Sequence, residues 1–281
     1  MVYQIAKLPY GLRRRLGELG TPAERFNLQH AAGDVAICPP KLQSVHFEND
    51  CFIRYENGAL IVSQDRIVNK PFITDENSDA LFCPSWVTIA GVNPEDISFD
   101  FKPNFIMEPE SMTLRKCSYS ANFFMDLASK IDTSSVQFLQ VFQQTGSNVL
   151  KIADLFANFP KLTCLSLSNV VLSSTWMRDI LKSQKRRLDS LSITGPVEAE
   201  LDICELVTFF NKQQRNFSFY MNVNDAEFPA LKKSLARKFL RRKPENATRK
   251  LTINKTEVFY LNPKFDFFAV RTTRKQNKES K

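Results

Sequence analysis

Leu162–Ile193 reads LTCLSLSNVVLSSTWMRDILKSQKRRLDSLSI. It holds one pattern twice, apolar-x-x-apolar-x-apolar, first at Leu162/Leu165/Leu167 and then, 26 residues later, at Leu188/Leu191/Ile193. The last two apolar positions of each copy alternate with serine, the period of a strand that buries one face. Between the copies, Ser174-Thr175 offers caps, and Met177, Ile180 and Leu181 follow at helical spacing. A strand, a helix and a second strand of equal length predict parallel strands joined by a helical crossover.

The template extends in both directions. It fits Val136/Leu139/Val141 and Gln214/Phe217/Phe219 at the same step of 26, with Gln214 the one polar residue among twelve positions. Helices are expected over 121–131, 148–159 and 200–211, and a further strand near Met112–Cys117. Leu165, Leu191 and Phe217 should then stack as strand neighbours, as should Leu167, Ile193 and Phe219. The period and the template resemble the leucine-rich repeat in degenerate form, since Asn169 stands one place before the position expected for the repeat's asparagine. Such arrays present a strand face suited to protein recognition. The x positions of the template face away from the core, and from them Phe138, Gln140, Thr163, Ser166, Asp189 and Ser192 are the candidate substrate contacts. Phe138 is the large apolar member: either it is the anchor for a target, or it packs under the strand-rich segment before it.

The N-terminal stretch Leu8–Gly33, LPYGLRRRLGELGTPAERFNLQHAAG, has a different design. Leu8, Leu12, Leu16 and Leu19 line one face of a helix that Pro9 can open and Gly20 can end with positive φ. Thr21-Pro22-Ala23-Glu24 reads as a capping box opening a second helix, which carries Phe26, Leu28 and Ala32. Two short helices cannot build a core alone, so the leucine stripe must lie against the rest of the chain or a partner. Leu8-Pro9, Leu12, Leu16, Leu19 and Leu28 resemble the first two-thirds of an F-box, in particular that of the F-box family expanded in nematodes. The resemblance covers about a tenth of the chain; where the family has a third helix, this one has DVAICPPKLQ, with Pro39-Pro40. It implies that Leu8, Pro9, Leu12, Leu16 and Leu19 bind the Skp adaptor of a cullin–RING (SCF) ubiquitin ligase.

Residues 35–110 hold seven of the chain's 14 prolines and read as strands and loops. Runs at 44–47 and 51–55 alternate in polarity, and Asn57-Gly58 before Ala59–Val62 marks a hairpin. Glu95, Asp96 and Asp100 form an acidic group on a strand or turn. Towards the C-terminus, a helix is expected over Ala230–Leu240, then strands at 249–254, 257–261 and 265–270, then a polar tail without periodicity.

Composition narrows the function. With 43% hydrophobic and 24% charged residues in 281, the chain has ordinary globular make-up and a sizeable core. No apolar run approaches a bilayer span, and Arg13-Arg14-Arg15 stands where a leader's apolar region would lie, which predicts an intracellular protein, cytoplasmic or nuclear. The six cysteines are scattered singly and only two histidines are present, so a metal centre is not expected. Neither His30 nor His46 sits in a recognisable catalytic setting and no glycine loop cradles phosphate, so no catalytic or cofactor-binding residue is assigned and the chain is read as a non-enzyme. The formal charge of +8 is local: Leu231–Lys243 carries seven cations and no acid, Arg271–Lys281 carries a net +4, and the remainder is at −3. Whole-chain basicity is thus a poor argument for nucleic acid.

The sequence therefore predicts an α/β chain in four parts: an F-box-like helical motif at 1–34, a strand-rich segment with a β-hairpin at 35–110, a leucine-rich-like β-α array at 111–271, and a disordered basic tail at 272–281. By resemblance it is a substrate receptor that links a target protein to the ligase through a Skp-type adaptor. The alternatives are a protein-interaction repeat module without ligase binding and a nucleic-acid-associated protein.

Overall fold

The computed structural model describes residues 5–20, 22–32, 45–56, 59–64, 81–93, 105–143, 149–195, 201–222, 228–236, 238–240, 249–253 and 257–261. A short 3-10 turn at Ile5–Lys7 leads into helices α1 (Tyr10–Leu19) and α2 (Pro22–Ala32). Strands β1 (Val45–Glu56), β2 (Ala59–Ser63), β3 (Leu81–Ala90) and β4 (Ser111–Arg115) follow. Helix and strand then alternate: α3 (Ala121–Lys130), β5 (Phe138–Phe142), α4 (Ile152–Asn158), β6 (Cys164–Ser168), α5 (Trp176–Ser183), β7 (Ser190–Thr194), α6 (Ile203–Lys212) and β8 (Ser218–Met221). Helix α7 (Phe228–Leu235) and strands β9 (Phe239–Leu240), β10 (Lys250–Ile253) and β11 (Glu257–Leu261) complete the order.

All eleven strands form one sheet, in the order β2-β1-β3-β4-β5-β6-β7-β8-β10-β11-β9. The run from β1 through β10 is parallel, and antiparallel pairs occur at the ends, β2 on β1, β11 on β10 and β9 on β11. Strands β1 and β2 pair antiparallel with Glu56 against Ala59, and the two runs expected at 44–47 and 51–55 merge into the single strand β1. Residue 110, the expected end of a separate strand-rich segment, lies between β3 and β4, which pair directly. The sheet is continuous across it.

Parallel sheets are usually covered on both faces and read as unbroken apolar runs. Here β5, β6 and β7 alternate half-buried and buried residues, so one face carries the core. Leu139, Leu165 and Leu191 are successive neighbours across that face, as are Val141, Leu167 and Ile193, each step being 26 residues. Against them lie Phe123, Phe124 and Leu127 of α3, Leu155 and Phe156 of α4, Trp176 and Ile180 of α5, and Phe209 and Phe210 of α6, all buried. Asp202 caps α6 by accepting from the Cys204 and Glu205 amides, and Ser120 caps α3 through the Phe123 amide.

The step changes at β8, where Leu191 faces Phe219 and Ile193 faces Met221. The expected pairs with Phe217 and Phe219 are therefore displaced by two residues. Helix α6 is 10 residues long against 8 in α5, and Phe217 falls before the strand, edge-on to Phe209 and Phe210. The polar Gln214 in the template marked this slip, because it occupied a position the other copies bury.

Two further expectations are corrected. The helix expected over Ala230–Leu240 ends at Leu235, and Phe239 enters β9, where it pairs with Leu261 and meets the Phe210 ring at 5.4 Å. Burial of one aromatic ring against the sheet's last strands outweighs helical spacing. Gly20 is extended at φ −74°, not left-handed; a side chain there would press on the Leu16 carbonyl at 3.2 Å, so the need is for space. The capping residue Thr21, the Pro39-Pro40 segment, the acidic group at 95–100, the strand expected at 265–270 and the tail at 272–281 lie outside the described residues.

Candidate functional site

Two surfaces carry the sequence-predicted residues. On α1, Leu12 is 55% exposed and Leu19 71%, with Leu16 and the neighbouring Tyr10 also exposed. Pro9 is exposed and Leu8 half-buried. No residue of α1 or α2 belongs to the core cluster among the described residues. The charged residues cluster together: Arg14 Nε donates to Glu18 Oε1 at 2.9 Å and Arg15 Nη1 lies 3.4 Å from Glu18 Oε2. The hydrogen bond from Arg14 holds the Glu18 carboxyl below its ordinary range. Where α1 turns into α2, Leu16, Leu19, Gly20, Glu24, Asn27 and Leu28 line a groove of about 500 Å³. That groove was not legible from spacing alone, because it depends on the angle between two helices.

The second surface is the sheet face opposite the core. Gln140, Ser166 and Ser192 stand in register on β5, β6 and β7, followed by Tyr220 on β8. Phe138 stands in the adjoining row with Cys164, Ser190 and Ser218. Thr163 and Asp189 sit one step lower, at the strand entry edge, where the Asp189 amide donates to the Thr163 carbonyl at 2.8 Å. Of the six expected contacts, four thus share one face and two share its rim.

Phe138 packs against the strand-rich segment before it, on a partner, Trp86, that spacing did not name. It is half-buried, with its ring edge-on to Trp86 at 5.6 Å. Trp86 and Phe138 flank Ser111 in one row of the sheet, and the small serine lets the two rings meet over it. The Trp86 indole N–H donates to Thr113 Oγ1 at 3.0 Å, and the Thr113 hydroxyl donates to Gln140 Oε1 at 3.4 Å. One row further, the Arg115 guanidinium lies over the Phe142 ring at 4.5 Å. The face is therefore divided, aromatic and cationic over β3–β5 and hydroxyl-rich over β6–β8. Both rings of the aromatic cluster could donate large contact area to a protein partner while the Trp86 indole N–H is already bonded.

Among the described residues no three His, Cys, Asp or Glu side chains come together as a metal site, and no helix is long and apolar enough to cross a membrane. Comparison with protein-family models, with curated proteins and with solved structures gave no match.

Proposed function

We propose that this chain is an F-box-type substrate receptor, linking a target protein to a cullin–RING ubiquitin ligase through a Skp-type adaptor. In this reading α1 and α2 are the F-box-like motif and the β-α units from β4 onward are a leucine-rich-repeat-like platform for the target. One observation carries it: Leu12, Leu16 and Leu19 are exposed along one helix that adds nothing to the core cluster. Exposed leucine rows are costly in water unless a partner covers them. The receptor needs no catalytic residue of its own; it acts by raising the effective concentration of target beside the ligase.

A pull-down of purified adaptor by the purified chain tests the proposal. Leu12→Asp with Leu16→Asp should abolish capture while leaving unfolding free energy within about 0.5 kcal/mol for each exposed substitution. Capture that survives this double change in a folded chain sinks the proposal. A second reading, the same platform without ligase binding, is favoured by Pro39-Pro40 standing where the family has its third helix. Failure of the wild-type chain to capture adaptor selects it.

A further inference from the structure

The parallel strands enter the sheet along one edge, and a ladder of backbone hydrogen bonds ties that edge together. Thr163 donates to Gln137, Asp189 to Thr163, Ser218 to Asp189 and Lys250 to Phe217, each through its amide to a carbonyl. Along the entries of β6, β7, β8 and β10 lie Lys161, Lys185, Arg186, Arg187, Arg215 and Lys250, all exposed. Adjacent strands are about 4.8 Å apart, so the four entries span roughly 15 Å. Asp189 is the one exposed carboxylate among the described residues of these entries.

Helix dipoles do not account for this belt. Cations that compensate a helix C-terminus belong in its last turn, as Lys182 does in α5 and Lys212 in α6. Lys185, Arg186, Arg187 and Arg215 lie beyond those turns, on the connections to the strands. The belt is also bounded. At the entries of β4 and β5 the exposed charged residues among those described are Glu108, Glu110 and Asp132, of opposite sign. A long polyanion of uniform charge laid along this edge would meet those acids; a short anionic segment would not.

We infer that the entry edge of β6, β7, β8 and β10 binds a short acidic segment, a run of Asp and Glu, of the captured protein. Arginine forks at positions 186, 187 and 215 suit paired carboxylates, and the hydroxyl-rich face above them can accept the polar chain that continues from the segment. The inference deepens the proposed function and rests on it only in taking the partner to be a protein.

The test uses the full chain and a fluorescein-labelled peptide of ten glutamates, read by fluorescence anisotropy at low salt. Binding is expected, and Arg186→Glu with Arg187→Glu should weaken it by at least about tenfold. Arg14→Glu with Arg15→Glu, on α1, should leave it unchanged. Since Leu231–Lys243 and the tail are also basic, peptide binding that ignores the 186/187 reversal overturns the inference. So does a ten-nucleotide single-stranded DNA that binds this edge as tightly and loses as much on the same reversal. Adaptor capture separates the two claims: a wild-type chain that binds peptide at this edge but captures no adaptor overturns the ligase reading alone, whereas a 186/187 variant that loses peptide and keeps adaptor capture leaves both standing.

Discussion

Cys51 and Cys117 lie among the inward side chains of the sheet, and burial pushes their thiols up to about 12 and about 11. Burial also raises the Tyr119 phenol, whose hydroxyl donates to the Leu114 and Phe142 carbonyls at 3.1 and 2.9 Å. An unfolded thiol titrates at about 8.5. The folded values lie above that, so the stability these groups contribute is complete below ~8.5 and is lost as pH rises towards 11 and 12. Urea midpoints should therefore fall steadily over that interval, and Cys51→Ala with Cys117→Ala should flatten the fall even though it lowers the midpoint at pH 7. A slope unchanged by the double substitution would mean other groups dominate. Cys204, exposed on α6, is the contrasting residue and should be alkylated in the native chain at pH 8, ahead of Cys51 and Cys117.

At the scale of elements, the joint between α6 and its strands depends on one buried amide. Gln213 accepts the Leu188 amide at 2.9 Å through Oε1, and its carbonyl accepts Arg249 Nη2 at 3.2 Å. Gln213 and Arg249 are both fully buried, so one residue at the end of a helix holds the entry of β7 through its side chain and that of β10 through its backbone carbonyl. Gln213→Ala should cost about 1–3 kcal/mol, because it strands the Leu188 N–H away from water, and denaturant unfolding measures it. A loss below about 0.5 kcal/mol would show that water or a neighbour replaces the amide. Sequence pattern had no means of finding this joint: polar residues at a helix end read as solvated until a third element closes over them. The neighbouring slip at β8 has the same origin. Spacing located every strand from β4 to β8, but the register of β8 was decided by where Phe217 could pack.

For the whole molecule, one core runs the length of the sheet, from Cys51 and Ile53 on β1 to Phe259 on β11. The helices α1 and α2 stand outside it among the described residues, which makes them removable. A chain shortened to begin at Ser44 should melt within about 2–4 °C of the full chain, the shift of roughly 1 kcal/mol in a domain of this size. It should retain acidic-peptide binding and lose adaptor capture. Collapse of the melting transition would place the leucine stripe in the fold and not on a partner. The same separation explains why the two candidate surfaces differ in legibility. Leu12, Leu16 and Leu19 announce themselves by spacing because a short helix has only one face to hide, whereas Phe138 gains its meaning from Trp86, two strands away in the sheet.

By itself the sequence determined the class of the chain: alternation of leucine with serine, and helical spacing between the alternating runs, dictate parallel β-α units with one buried face. Both signals are local, set by 2.0- and 3.6-residue periods that any short window displays. The same locality made the leucine helix and the antiparallel pairing of β1 with β2 readable. Only the tertiary structure decided that the proline-rich segment joins the same sheet through β1 and β3, and that Phe239 leaves its helix for an edge strand. It alone brought six cations, from three connections and the start of β10, onto one edge. Those outcomes depend on pairing and burial between residues far apart in the chain, where no period runs and the competing contacts differ by a few kcal/mol.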